Sequence, residues 1–236
     1  VIERPHQGKT GVARKARAFV LRSRRRFTLA ELVADGIVHG IGLVVALVAG
    51  TVLITVAAME TARDEVFGLA VYVGSLVVLF GVSMAFNLCP PGAAKAWLAR
   101  FDQAAIFLFI AGTYTPFLTA LADVPLADKL LVFVWATALI GMALKLFVPQ
   151  HFGRLAIPIY LAIGWSGVLV FSALADALPK TALWLIVAGG IAYSAGIIFH
   201  LWEKLHFQNV LWHAFVVLGA ALHLIAVFDA MVVSRL

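Results

Sequence analysis

The feature that most limits what this chain can fold into is a series of seven uncharged, strongly apolar runs. They occupy residues 36–59, 66–94, 103–122, 130–144, 155–175, 181–202 and 205–228. A helix needs roughly 20 apolar residues to cross the hydrocarbon core of a bilayer. Six of the seven runs have that length, and the fourth reaches it once Lys145 snorkels from the helix end and Leu146, Phe147 and Val148 are added. With 63% hydrophobic residues, 13% charged residues and a mean hydropathy of +1.02, the solvent is lipid. Loops between the runs are short, so consecutive helices are expected as antiparallel neighbours in an all-α, seven-transmembrane bundle. No internal repeat, low-complexity segment or linker divides the chain. A basic segment at 1–30 and a single membrane domain at 31–236 are therefore expected.

Orientation follows from the cations, because cytoplasmic loops are enriched in Lys and Arg. Nine of the eighteen Lys and Arg lie before residue 30. With Lys95, Arg100, Lys145, Arg154 and Lys204 they put fourteen on the N-terminal side, against four on the other (Arg63, Lys129, Lys180 and Arg235). A cytoplasmic N-terminus and a C-terminus on the opposite side are expected, with the tail carrying most of the asymmetry. The tail is not a secretory signal, since Ala18 to Leu21 is too short for an apolar core and Arg22 follows at once. It reads either as a topology determinant touching anionic head groups or as an interfacial helix with Phe19, Val20 and Phe27 on its apolar side. The net charge of +6 does not point to nucleic acid, because few stretches outside the tail are free to form a binding face. The single cysteine, Cys89, excludes an intrachain disulfide framework.

This topology gathers scattered polar residues at one level. Ser83 and Asn87 fall near the end of helix 2, Asp102 at the start of helix 3, and Asn209 and His213 near the start of helix 7. Each pair is four residues apart and so shares a helix face. Glu31, Asp35 and His39 in helix 1, and His200 and Glu203 at the end of helix 6, belong to the same side. Polar groups inside a membrane bundle are costly and by default mark a site. The bland readings are a Ser83 back-bond to its own helix, Asn87 as a C-cap before Cys89-Pro90-Pro91, and Asp102 as an N-cap.

These residues resemble the hemolysin III family, the bacterial branch of the progestin and adiponectin receptor group, itself related to alkaline ceramidases. The likeness rests on Glu31 with His39-Gly40-Ile41-Gly42, on Ser83 through Asn87, and on Asp102 followed by Ala111-Gly112-Thr113-Tyr114-Thr115-Pro116-Phe117. It continues in Trp212-His213, Val216, Gly219 and His223. It implies a seven-helix bundle with an intracellular N-terminus. It also implies a zinc site, with histidines at positions 87, 209 and 213 as ligands and Asp102 holding a water. In this chain two of those three positions are asparagine, Asn87 and Asn209, and a neutral amide is a weak substitute for imidazole. No metal is therefore expected; any ion would need a site rebuilt around His213 and Asp102, with His200 or His206 as recruits. His223 lies about 15 Å further along the helix than His213, too far to share an ion.

Three functions compete. The first is a non-enzymatic membrane component that binds lipid, acts as a receptor or docks a partner, through the cluster Glu31, His39, Ser83, Asn87, Asp102, Asn209 and His213. The second is a ceramidase-like zinc hydrolase of lipid amides, with Asp102 placing the attacking water and Ser83 assisting. The third is a pore-forming hemolysin. Loss of the metal ligands favours the first, because water without a Lewis acid is a poor nucleophile at neutral pH. Expected partners are membrane lipids and other membrane-protein subunits, not nucleic acid. The expected location is the bacterial cytoplasmic (inner) membrane.

Overall fold

The computed structural model describes residues 27–60, 63–121, 123–152 and 155–235; the basic tail, with Phe19 and Val20 of the interfacial-helix reading, lies outside them. Every regular element among the described residues is helical. They are α1 (Leu29–Glu60), α2 (Arg63–Leu88), α3 (Ala93–Thr119), α4 (Pro125–Phe147), the single turn α5 (Pro149–Phe152), α6 (Ala156–Gly164), α7 (Phe171–Ala177), α8 (Lys180–Leu201) and α9 (Gln208–Met231). A 3-10 segment, Ser166–Val170, joins α6 to α7. α1 packs on α2, α2 on α3, α3 on α4 and α8 on α9, and α9 returns to lie against α1. First and last helices are thus neighbours.

α1 begins with a capping box. The Glu31 N–H donates to Thr28 Oγ1 at 3.2 Å, and the Thr28 N–H donates to the Glu31 carboxylate at 2.8 Å. With 32 residues the helix is about 48 Å long, against a hydrocarbon thickness of about 30 Å. Its buried positions Glu31, Asp35, His39, Gly42, Ala46, Gly50, Leu53 and Ala57 recur every three or four residues and form one face. That face is polar in its first third and mostly small beyond it. A Cβ on Gly42 would stand 2.8 Å from the Phe80 ring, and one on Gly50 would stand 2.6 Å from Val73. The missing side chains let α2 approach, which matters in lipid, where helices associate by close packing rather than by escape from water. The rest of the helix exposes Leu32, Val33, Ile37, Ile41, Val44, Val48 and Val52, a surface suited to acyl chains.

Among the described residues six helical stretches are long and apolar enough to cross a membrane: Leu29–Glu60, Glu65–Leu88, Pro125–Phe147, Ala156–Ala177, Lys180–Leu201 and Gln208–Met231. The third apolar run is the exception. Its helix α3 has 27 residues but carries Lys95, Arg100, Asp102 and the Thr113-Tyr114-Thr115 string. Those residues are tolerated because α3 is enclosed: it touches α2, α4, α6 and α9, and it buries Phe107, Phe109, Ala111, Thr115 and Leu118. A helix covered by protein needs less lipid-compatible surface.

Two further expectations meet the structure differently. Lys145 does not snorkel outward. It is 2% exposed, and its ammonium donates to Gln103 Oε1 at 2.8 Å, tying the end of α4 to the start of α3. The fifth run is not one helix but α6, the 3-10 segment and α7. Tyr114 of α3 clamps the break, its hydroxyl donating to the Gly164 carbonyl at 2.8 Å and accepting from the Gly167 N–H at 2.7 Å. Irregular backbone at membrane depth persists where such partners satisfy it or where it lines a cavity. Both hold here.

Candidate functional site

The start of α1, the end of α2, the start of α3 and the start of α9 meet at one end of the bundle. Their junction is fixed by Glu31, 2% exposed, whose carboxylate accepts the Phe207 N–H at 2.8 Å while it caps α1. Phe207 precedes α9 with φ 57, the left-handed region that an aromatic residue rarely enters. The acceptor on α1 therefore holds the backbone turn that launches α9.

One and two turns beyond Glu31, on the same face of α1, stand Asp35 and His39, 3% and 1% exposed. His39 Nδ1 lies 2.7 Å from the Asp35 main-chain oxygen, and a carbonyl can only accept, so Nδ1 carries a proton. Nε2 lies 2.8 Å from Ser83 Oγ on α2. The Asn87 amide nitrogen sits against the same ring, 3.2 and 3.3 Å from its two nitrogens. From α9, His213 Nδ1 reaches the Asp35 carboxylate at 2.6 Å. The two imidazoles meet edge to face with centroids 4.1 Å apart. Asp35 thus orients both rings, one with its main chain and one with its side chain.

His39, Ser83, Asp102 and His213 line a small cavity of about 40 Å³, closed by Leu79, Phe80, Ile106, Trp212 and Val216. Of the seven residues expected in the polar cluster, these four face one space. Asn87 lies against His39 from the side. Glu31 acts one turn away, as a cap. Asn209 does not line the cavity, although it stands one turn before His213 on α9. The residue that sequence reasoning placed on this side but left out of the cluster is Asp35, which occupies its centre. The signal was present: Glu31, Asp35 and His39 are spaced by four, so they share a face.

The zinc ligand set that the resemblance implies does not fit these residues. At its three positions stand Asn87, Asn209 and His213, and the Asn87 amide is engaged with His39. A different group does fit a metal: Asp35, His39 and His213 offer ligand atoms that all lie within 4.8 Å of one another. Neither His200 nor His206 belongs to it. The His200 carbonyl instead accepts from Gln208 Nε2 at 2.6 Å, and its ring packs on Trp212 at 5.0 Å.

Next to the polar cavity, and sharing Leu79, Ile106, Trp212 and Val216 with it, is an apolar cavity of about 130 Å³ between α3, α6, α8 and α9. A third space of about 100 Å³ continues past Trp165 toward α7. Trp165 stands between them, its indole N–H donating to Ser194 Oγ at 3.0 Å. His223, with Nδ1 2.9 Å from the Gly219 carbonyl, lines both apolar spaces and lies away from the polar cluster.

The chain is 35% identical over 195 residues to the hemolysin-3 homolog of Bacillus subtilis strain 168, covering 83% of this chain and 92% of that protein. It is 35% identical over 192 residues to hemolysin-3 of Bacillus cereus, covering 81% and 88%. The human monocyte to macrophage differentiation factor is 29% identical over 130 residues, 54% of this chain and 52% of that protein. No solved structure matches. Residues 27–224 match the family described as haemolysin-III related, and the chain belongs to that family.

Proposed function

We propose that this chain is a non-enzymatic lipid-binding component of a bacterial cytoplasmic membrane, receptor-like in form, crossing the bilayer seven times with its N-terminus in the cytoplasm. The seventh crossing is α3, long enough at 27 residues, or about 40 Å, to span. The observation that carries the reading is the adjacency of two cavities that share Leu79, Ile106, Trp212 and Val216. A space of about 130 Å³ with almost wholly apolar walls abuts one of about 40 Å³ lined by His39, Ser83, Asp102 and His213. That pairing suits an amphipathic molecule, with its chain among Phe109, Tyr160, Trp165 and Tyr193 and its polar head toward the cluster. Entry is lateral, where the broken α6 to α7 crossing leaves Trp165 39% exposed.

The test is to purify the chain in nanodiscs of defined composition and identify retained lipid by mass spectrometry, with a photoactivatable fatty acyl probe to map contacts. Labelling is expected on Tyr160, Trp165 and Tyr193, and Val216→Trp, which plugs the junction, should remove most of it. Labelling unaltered by Val216→Trp, or confined to the outer face of α1, overturns the proposal. One observation favours a second reading, hydrolysis of a lipid amide: the Asp35, His39 and His213 group beside Ser83 and Asp102. That reading requires release of fatty acid from an amide-linked lipid, lost in Asp102→Asn.

A further inference from the structure

We propose that Asp35, His39 and His213 form a site for a divalent transition metal of the zinc class, in which Asp35 and His39 of α1 join His213 of α9, the one histidine left at the family's ligand positions, in place of residues 87 and 209. Two imidazoles and a carboxylate are the donor types such an ion prefers, and an open coordination position is compatible with three protein ligands. The three ligand atoms lie within 4.8 Å of one another. Tetrahedral zinc with bonds near 2.0–2.1 Å spaces its ligand atoms about 3.4 Å apart, so side-chain movements of about 1 Å gather them. Backbone geometry already favours this: Asp35 and His39 are one turn apart on one face of α1, and Glu31, one turn earlier, locks that face to the start of α9 through Phe207.

Burial supplies the driving force. Asp35 and His39 are almost wholly enclosed, and a carboxylate there needs a hydrogen-bond donor or a cation as its partner. In the metal-free arrangement that partner is the Nδ1–H of His213, at 2.6 Å. On metal binding the ion takes over the carboxylate, and the Nδ1 proton of His213 leaves that nitrogen, to water from an imidazolium or to Nε2 in a neutral ring, which frees Nδ1 as a ligand. The His39 ring is held in place from both sides, Nδ1 on the Asp35 main-chain oxygen at 2.7 Å and Nε2 2.8 Å from Ser83 Oγ, the kind of outer contact that fixes a ligating ring. The remaining coordination position faces the cavity that Ser83 and Asp102 line, where a water fits. The site is independent of what fills the apolar cavity.

The full chain, purified in detergent and stripped with chelator, is loaded with zinc, desalted and analysed for metal; cobalt loading gives a visible spectrum that reports tetrahedral nitrogen and oxygen ligation. Wild type is expected to retain about one equivalent and to gain thermal stability with zinc but not with magnesium. Asp35→Ala, His39→Gln and His213→Ala should each weaken binding more than tenfold, whereas Asn209→Ala, which lies outside the cavity lining, should leave it within about threefold. Failure of wild type to retain zinc or show the cobalt spectrum overturns the proposal, and that outcome depends on no variant folding. Retention by Asp35→Ala and His39→Gln with loss in Asn209→Ala also overturns it, since the family positions would then hold the ion.

Discussion

His213 and Asp35 are 178 residues apart in sequence, yet the imidazole Nδ1 of one lies 2.6 Å from the carboxylate of the other. This contact closes the bundle: it joins the last long helix to the first, at the level where α2 ends and α3 begins. The Asp35 side chain is 4% exposed and that of His213 17%, so the carboxylate has little access to water if the ring is lost.

A double-mutant cycle should therefore be strongly non-additive. Asp35→Ala strands the His213 ring, and His213→Ala strands a buried carboxylate. Each single change is expected to cost about 2–4 kcal/mol, with His213→Ala the worse, because an unpaired buried charge costs more than an unpaired neutral ring. The double variant should recover about 1–3 kcal/mol of the sum. Thermal unfolding in one detergent, under metal-free conditions, measures this; additive losses would mean that the pair is not coupled.

Glu31 caps two helices at once, serving Thr28 at the start of α1 and Phe207 before α9. Glu31→Ala should cost about 2–3 kcal/mol, more than the roughly 1 kcal/mol of an ordinary cap, because it also frees a strained left-handed residue. Hydrogen exchange should rise at residues 207–211 as well as at 28–32. Faster exchange confined to α1 would show that the Phe207 contact contributes nothing.

The Tyr114 hydroxyl occupies the gap between α6 and the 3-10 segment, where backbone groups would otherwise be unpaired in the membrane. Tyr114→Phe keeps the ring and removes the donor and acceptor. The expected loss is about 1–3 kcal/mol, with faster exchange of the Gly167 amide while α3 stays protected. Unchanged exchange at Gly167 would mean that another group satisfies it.

How far the fold could be read from sequence depended on whether the information was local. The apolar runs mark the helices because lipid demands one composition along each exposed face. The same demand misleads at α3, which is shielded by its neighbours and so keeps Thr113, Tyr114 and Thr115. The break after Gly164 was not legible, since its stabilising partner, Tyr114, is 50 residues away. At the site, the topology puts Ser83, Asn87, Asp102, Asn209 and His213 at one level with His39 on the same side, and spacing by four puts Ser83 with Asn87 and Asn209 with His213 on shared faces. Asp35 lies outside the family's zinc-site positions, which fall on helices 2, 3 and 7, so the resemblance does not single it out. Only the approach of α9 to α1 shows that His213 has a carboxylate partner on another helix. The expectation of no metal counted ligands at positions 87, 209 and 213, and the group around Asp35 was not in that count.

Two adjacent glycines of α8 should respond oppositely to the same small change. A Cβ on Gly189 would fall 2.3 Å from His223 Nδ1 and 3.2 Å from the Gly219 carbonyl of α9, and the backbone atom cannot yield without moving the helix. A Cβ on Gly190 would meet only the Trp165 ring, at 3.4 Å, an ordinary contact. Gly189→Ala is therefore expected to destabilise by about 1–3 kcal/mol through overpacking. Gly190→Ala should be close to neutral, or slightly stabilising, since alanine favours a helix over glycine by about 1 kcal/mol. Fluorescence of Trp165 separates the two further: its environment should change in Gly190→Ala and stay as in wild type in Gly189→Ala. Equal destabilisation by both substitutions would place the α8 and α9 contact elsewhere on the helix face.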